Sequence, residues 1–135
     1  MKYLSPLSRL CLSFIFITSG IYKIGHLDYY QQVMIGGGFP FPVFCLFVAI
    51  LMLLGGGIGL LIGWKTRWSA ATLVLFLVIA SSVFHVPLLK ETDPQKVRYG
   101  QDEILKNLAM IGGLLKYVID GSGRFGLDNR KSDEA

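Results

Sequence analysis

The stretch PVFCLFVAILMLLGGGIGLLIG, residues 42–63, decides how this chain folds. It carries no charged side chain and lies inside a longer uncharged stretch, residues 29–64. About 20 predominantly apolar residues let a helix cross the hydrocarbon core of a bilayer. The Gly/Pro cluster GGGFPFP, residues 36–42, cannot continue a helix and therefore marks where this one begins. Residues 42–63 thus predict a membrane-spanning helix.

A second uncharged stretch, residues 68–89, follows almost immediately. The chain of 135 residues is 53% apolar and only 16% charged, and its mean hydropathy is +0.55. Soluble domains contain about 25% charged residues. Two stretches of membrane-spanning length in so short a chain predict a single-domain integral membrane protein, with the lipid bilayer as its main partner. The net charge of +4 is small and scattered, so nucleic acid binding is not indicated.

We predict an all-α bundle of four transmembrane helices. Their approximate bounds are residues 7–22, 42–63, 68–88 and 104–119. The connection WKTR at 64–67 makes the second and third helices an antiparallel hairpin. A cleaved signal peptide is the alternative for the first helix, but further membrane sequence follows it. An interfacial helix is the alternative for the fourth, which has lysines at both ends.

The distribution of Lys and Arg predicts the orientation of the bundle. With four spans, eight of these residues share the side of the two termini: Lys2, Arg9, Lys65, Arg67, Lys116, Arg124, Arg130 and Lys131. Five lie on the other side: Lys23, Lys90, Lys96, Arg98 and Lys106. The positive-inside rule therefore places both termini and the tail, residues 120–135, in the cytoplasm. The loop at residues 89–103 then faces the exterior, and its charges predict that it is at best partly ordered.

Small residues predict how the helices pack. Gly55, Gly59 and Gly63 recur every four residues and so share one face of the second helix. Ala109 and Gly113 offer a similar small face on the fourth. Helices in lipid associate through close backbone approach, which such faces allow. Packing within the chain is the preferred interpretation, and packing between protomers in a homo-oligomer is the alternative.

A layer of polar residues is predicted at the outer ends of the helices. His85 follows the start of the third helix by 17 residues, which is roughly 26 Å at 1.5 Å per residue. Lys23 ends the first helix and Asn107 lies one turn into the fourth, so all three share a similar depth. Pro87 lacks an N–H and leaves the carbonyl of Val83 without its helical partner, which predicts a wet or protein-covered helix end.

His85 has three interpretations. It is an inert residue at a helix end, a member of a functional site with Lys23 and Asn107, or a metal ligand. Metal binding is the weakest of these, because no second His or Cys lies at ligand spacing. Ionisable groups within membrane segments are candidates for function by default.

Arg9 lies at the opposite, inner end of the first helix. The preferred interpretation is a snorkelling residue that helps to set orientation. The alternative is a structural ion pair with an inner carboxylate, for which Asp120 and Asp128 are candidates.

Several short patterns follow one another along most of the chain. They are RLCLSFIFITSGIYKI (9–24), GGFPFP (37–42), LGGGIGLLIGWKTRWSAA (54–71), FH (84–85), LKNLAMIGGLL (105–115) and DGSGRFGLD (120–128). In this order and spacing they resemble the DoxX family of small bacterial membrane proteins, the DoxX/DoxD-like group. On these matches and the glycine spacing, we assign structural roles to Arg9, Gly20, Gly55, Gly56, Gly59, Gly63, Arg67, Gly113 and Asp128.

The resemblance implies a four-helix bundle in the bacterial inner membrane. It also implies a link to quinone-coupled thiosulfate oxidation, or to membrane oxidoreductase complexes that handle thiol stress. One position departs from the family pattern: members often carry a glutamate just before the glycine cluster, where this chain has Leu53. A buried carboxylate would be a natural proton acceptor, so its absence weakens a catalytic interpretation.

Two functional hypotheses follow. In the first, the chain is a subunit of a quinone-linked or thiol/sulfur oxidoreductase system, and His85, Lys23 and Asn107 form a catalytic site for a quinone or a small sulfur compound. The sequence contains no haem, flavin or iron–sulfur motif, so the electron carrier is diffusible or held by a partner oxidoreductase. In the second, the chain is a non-catalytic scaffold or assembly subunit for a partner complex.

Overall fold

The computed structural model describes residues 4–123 and 126–128, except for the side chain of Ser5. Five α-helices follow one another: α1 (Leu4–Gly25), α2 (Leu27–Gly36), α3 (Pro42–Ile62), α4 (Thr66–Ala80) and α5 (Pro94–Asp120). Beyond α4 the chain continues through a π-helical turn, Ser81–His85, and a 3₁₀ turn, Val86–Lys90. Four residues of the charge count used for orientation lie outside the described residues: Lys2, Arg124, Arg130 and Lys131.

Within the part of the chain that the structure describes, three segments are long and apolar enough to cross a membrane: Pro6–Gly25, Pro42–Ile62 and Thr66–Lys90. Their outward faces carry large exposed side chains such as Phe14, Phe47 and Leu75. Soluble monomers rarely expose apolar patches of this extent, so these faces suit contact with lipid. The fourth predicted span lies within α5, which is not among the three because charged residues interrupt it.

Two segments differ from the prediction. The loop predicted at residues 89–103 is mostly ordered, since α5 already begins at Pro94. Asp93 caps this helix by accepting a hydrogen bond from the Gln95 backbone N–H at 3.0 Å, and proline at the first helical position favours initiation. The short helix α2 was not predicted, although Tyr30, Val33 and Met34 have the i, i+3, i+4 spacing of an amphipathic helix.

The helices pack in sequence order around one apolar core. α1 lies against α3, α3 against α4, and α4 against α5, while α1 also touches α5. The core contains Phe16, Leu53, Leu60, Ala70, Leu73, Leu77, Leu114 and Tyr117. A smaller cluster, Met34, Leu46, Ala49 and Ile50, joins α2 to the first half of α3.

The glycines of α3 bring its backbone close to two neighbours. A methyl group on Gly56 would lie 2.8 Å from Leu73 Cγ of α4. One on Gly59 would overlap Ser69, also of α4. One on Gly57 would lie 2.9 Å from Ile17 of α1. Each contact is shorter than side chains tolerate, so α3 is the central helix of the bundle because its glycines admit both neighbours.

The predicted packing face was partly wrong. Gly55 is exposed, and a methyl group there would have no neighbour within 4 Å. Successive helical residues are rotated by about 100°, so the packed set Gly56 and Gly59 faces α4 while Gly55 turns outward. Gly20 of α1 lies against Leu54, where a methyl group would come within 2.7 Å. A methyl group on Gly113 of α5 would lie 3.4 Å from Leu12, which is an ordinary van der Waals contact.

Asp128 joins the end of the chain to the turn between α3 and α4. Its carboxylate oxygens accept hydrogen bonds from the backbone N–H groups of Lys65 (2.7 Å) and Thr66 (2.9 Å), at the start of α4. Its own N–H donates to the carbonyl of Gly63 at 2.9 Å. Gly63 ends α3 with φ of 74°, a conformation that favours glycine. An acidic residue at a helix N-terminus is favourable, so Asp128 stabilises this turn.

Arg9 is buried under the same turn instead of snorkelling outward. It is 2% exposed, and its guanidinium donates to the carbonyl of Leu61 at 3.4 Å. The Asp128 carboxylate attracts it electrostatically, whereas Asp120 is exposed. The burial of Arg9 contradicts the snorkelling interpretation, and the ion pair with Asp128 stays a prediction. Arg67 is exposed and lies beside Gly121, at the end of α5.

The α3 glycines generate a first prediction. Gly59→Leu should destabilise the purified protein by about 2 kcal/mol or more, because its side chain overlaps Ser69 in a packed interface. Gly55→Leu adds the same side chain to the same helix at an open position and serves as the matched control. Thermal unfolding in detergent, followed by circular dichroism, measures both. Equal unfolding temperatures for the two variants would refute the assigned packing.

The Asp128 contacts generate a second prediction. Asp128→Ala removes both acceptors at the start of α4 and should cost about 2 kcal/mol, as for strong helix N-caps. Asp120→Ala removes an equal charge nearby, at an exposed position, and should leave the unfolding temperature almost unchanged. Similar losses in the two variants would show that net charge, and not the cap, controls stability at this end.

Candidate functional site

The site begins with the way α4 ends. Pro87 cannot donate a backbone hydrogen bond, so the regular helical pattern fails in the turn before it. The Val86 N–H reaches back to the carbonyl of Ser81, a π-helical bond over five residues. Such π turns shift the side chains that follow and occur frequently at functional sites. Here the turn carries Phe84 and His85 to the inside of the bundle.

A cavity of about 460 Å³ lies beside this turn, and we call it the His85 cavity. Its polar lining consists of Ser19, Lys23, Tyr29, Tyr30, His85, Tyr99, Glu103, Lys106 and Asn107. Its apolar lining consists of Ile15, Phe16, Val33, Met34, Leu53, Phe76, Leu77, Ala80, Phe84, Leu88 and Met110. All five α-helices contribute, and the volume is in the range of small-molecule sites.

The three residues that the sequence predicted as a site line this one cavity. Lys23 comes from the end of α1, His85 from the π turn, and Asn107 from α5. Their common placement agrees with the depth argument made from the sequence. Their chemical roles stay predictions.

Each of the three side chains is held differently. Asn107 is 5% exposed and donates from Nδ2 to Ser81 Oγ at 2.9 Å, which joins α5 to the π turn. The Lys23 ammonium lies 4.2 Å from the centroid of the Tyr30 ring, a cation–π distance. The His85 ring lies edge-on to Tyr99, with 6.3 Å between ring centroids.

The Nδ1 atom of His85 is buried and has no hydrogen-bond partner among the residues that the structure describes. A buried polar atom left unpaired costs free energy, and such atoms call for an explanation. In a cavity of this size a water or a bound molecule can supply the missing partner.

A charged pair lies at the same cavity. The Lys106 ammonium and the Glu103 carboxylate are 2.7 Å apart, one helical turn from each other on α5. Both line the cavity together with Tyr99. Tyr99 and Glu103 come from the segment that was predicted to be a loop, whereas Lys106 lies in the predicted fourth helix. Glu103 is therefore a carboxylate within the cavity that the sequence prediction placed only in an adjoining connection.

Tyrosines of α2 were also missed, because that helix was not predicted. Tyr29 and Tyr30 line the cavity from its open side. Burial, followed by the nearby Tyr22, Tyr29 and Tyr99, raises the pKa of Tyr30. Its hydroxyl therefore stays protonated at neutral pH and remains able to donate a hydrogen bond.

Leu53 lines the cavity from α3 and is 1% exposed. A carboxylate at this position, as implied for many relatives, would project among the apolar core residues. In this chain that part of the cavity is apolar instead. Within residues 4–123 and 126–128, no group of three or more His, Cys, Asp or Glu is arranged to hold a metal ion.

Comparisons with known proteins agree with the resemblance found in the sequence. The DoxX family model matches residues 5–86, which include Lys23, Leu53 and His85. The inner membrane protein YqjF of Escherichia coli is 31% identical over 121 residues, covering 90% of this chain and 86% of that protein. The inner membrane protein YphA of the same organism is 27% identical over 124 residues, covering 92% and 87%. No solved structure matches. The chain therefore belongs to the DoxX family.

Proposed function

We propose that this chain is an inner-membrane protein with four spans, in which α5 crosses the bilayer beside α4. Asn107, near one end of the packed part of α5, contacts Ser81 at the far end of α4. Gly121, just beyond α5, lies beside Arg67 at the start of α4. α5 thus runs antiparallel along the whole of α4, and a helix lying flat in the interface could not do so. The named relatives are inner membrane proteins, which supports the location.

The count of Lys and Arg over the whole sequence, eight against five, supports the proposed orientation. Arg9, Lys65, Arg67 and Lys116 belong to the end that contains Asp128, which we place in the cytoplasm. The opposite end carries the His85 cavity and faces the periplasm. Both termini are then cytoplasmic.

Fusions to reporter enzymes test the orientation. Alkaline phosphatase, active only in the periplasm, should be active when inserted after Thr92, between the 3₁₀ turn and α5. Green fluorescent protein fused after Ala135 should fluoresce, as it does in the cytoplasm. A fusion of each reporter at the other position is the matched control. An active phosphatase after Ala135 would rule out cytoplasmic placement of the C-terminus.

We further propose that the His85 cavity binds a quinone, and that the chain is a membrane subunit of a quinone-linked thiol or sulfur oxidoreductase system. The observation that carries this proposal is the unpaired Nδ1 of His85 in a cavity with an apolar and aromatic interior. A quinone ring is flat and apolar and has carbonyl oxygens at two edges. It therefore suits a site with aromatic walls and hydrogen-bond donors on more than one side.

The donors have separable roles in this proposal. The His85 imidazolium, protonated on both ring nitrogens, donates from Nδ1 to one quinone oxygen. It passes that proton to the quinone as the quinone is reduced, is left as the neutral imidazole and regains a proton from water. Asn107 orients the same edge of the quinone, since its amide is itself held by Ser81. The Lys23 ammonium stabilises negative charge that develops on an oxygen during reduction.

The reaction balances with a sulfur compound as the reductant. Two thiosulfate ions that join to form tetrathionate release two electrons, and the quinone takes up those electrons with two protons to give the quinol. His85 supplies one proton and Glu103, at the edge of the cavity, relays the other. A partner oxidoreductase or a diffusible carrier delivers the electrons.

Substitution of His85 tests quinone binding. His85→Leu should weaken binding of a benzoquinone about tenfold, the effect of one lost hydrogen bond of about 1.4 kcal/mol. The substitution breaks no hydrogen bond of Nδ1 within the protein, so folding should not suffer. His26→Leu is the matched control, because His26 is exposed and stacks on Tyr22 outside the cavity. Titration calorimetry on detergent-purified protein gives the affinities.

Two outcomes would contradict the proposal. Equal affinity of the wild-type protein and His85→Leu for the benzoquinone would show that His85 does not contact the bound quinone. No quinone binding by the wild type, together with a stable partner captured by crosslinking in membranes, would instead support the scaffold hypothesis.

A further inference from the structure

A second hollow of about 200 Å³ lies between α3 and α4, and we call it the side groove. Seven residues line this hollow and not the His85 cavity: Phe39, Phe44, Cys45, Val48, Ala49, Met52 and Ile79. Five of the seven belong to α3, and none carries a charge. The surface that they offer is entirely apolar apart from the thiol of Cys45, which already donates to the carbonyl of Pro40.

The side groove opens on the outside of the bundle. Phe44 is 66% exposed, Val48 36% and Ile79 40%. These residues lie within two segments long and apolar enough to span the bilayer, Pro42–Ile62 and Thr66–Lys90. The mouth of the groove therefore faces lipid chains and not water.

The side groove adjoins the His85 cavity. Met34, Phe76, Ala80 and Phe84 line both spaces, so only these four side chains stand between them. Ala80, the last residue of α4, is the smallest of the four. Phe84 stands beside His85 in the π turn and packs at 5.9 Å between ring centroids against Phe39. The same break in α4 thus shapes both spaces.

We propose that the side groove holds the hydrocarbon chain of the molecule whose polar head occupies the His85 cavity. The ligand is then an amphiphile, with a ring-sized polar head and an alkyl or isoprenoid tail, that enters sideways from the bilayer. This inference rests on the proposed binding at the His85 cavity and narrows its ligand class. A small sulfur anion would need no apolar extension, so the side groove favours a tailed quinone over thiosulfate at this position.

The groove acts by accommodating the tail and not by adding much affinity. A hydrocarbon chain is already in an apolar medium in the membrane, so its transfer into the groove gains little from the hydrophobic effect. Without the groove, the tail would have to lie along the polar lining of the cavity, which includes Lys23 and Glu103. Filling the groove should therefore reject tailed ligands while sparing tailless ones.

The test compares one quinone ring with and without a decyl tail. Val48→Trp enlarges a side chain at the mouth of the groove, where partial exposure gives the indole room. The control is Leu51→Trp on the same helix, since Leu51 is 56% exposed and lines neither space. Affinities of the full chain for a dimethoxy-methyl-benzoquinone and its decyl derivative are measured in the same detergent micelles. Each quinone then partitions into the micelles equally in the wild-type and variant samples, so partitioning cancels when their affinities are compared.

We expect Val48→Trp to weaken binding of the decyl quinone at least tenfold and to change binding of the tailless quinone less than twofold. Leu51→Trp should bind both compounds like the wild type. Equal effects of Val48→Trp on the two quinones, or none on either, would overturn the assignment of the groove while leaving quinone binding in place. Failure of the wild type to bind either quinone would overturn the proposed function and this inference with it.

Discussion

The rest of the structure depends on the close approach of α3 to its two neighbours. Lipid chains are as apolar as the helices, so burial alone does not hold a bundle together in a membrane. Gly56 and Gly59 let α4 approach on one side, and Gly57 lets α1 approach on the other. This places α3 at the centre, where Leu53 lines the His85 cavity and the first half of α3 lines the side groove. A bulky residue at the packed glycines would therefore disturb the candidate site as well as the fold.

The interruption of α4 gives the bundle its hollow end. A continuous helix through Pro87 would keep α4 packed against α5 to its last residue and leave no space between them. The π turn costs helical hydrogen bonds, and the Ser81–Asn107 hydrogen bond replaces part of that loss. At the opposite end, Asp128 and Arg9 close the bundle through backbone contacts around Gly63. One end is thus closed by buried polar contacts, while the other is open enough to hold a ligand.

The sequence predicted the features that depend on composition and spacing, and missed those that depend on rotation and capping. Charge-free stretches gave α3 and α4, and depth along each helix brought Lys23, His85 and Asn107 together. Of the predicted glycine face, Gly59 packs against α4, but Gly56 packs there in place of Gly55, since a four-residue repeat cannot say which side of a helix meets a neighbour. α2 and the first turns of α5 were missed because uncharged and charged connections were both treated as loops. The sequence therefore did not predict that Tyr30 and Tyr99 line the cavity, or that Glu103 pairs with Lys106.

Leu53 explains why the protonatable groups of the candidate site lie where they do. A carboxylate at this position would be surrounded by core side chains, and burial of such a charge without a partner is costly. With leucine there, the α3 contribution to the cavity lining is apolar. The protonatable groups of the lining lie on other elements: His85 on the broken end of α4, and Glu103 on α5, where it is paired with Lys106. In the proposed site, proton exchange would therefore depend on these two residues and not on a carboxylate in the core.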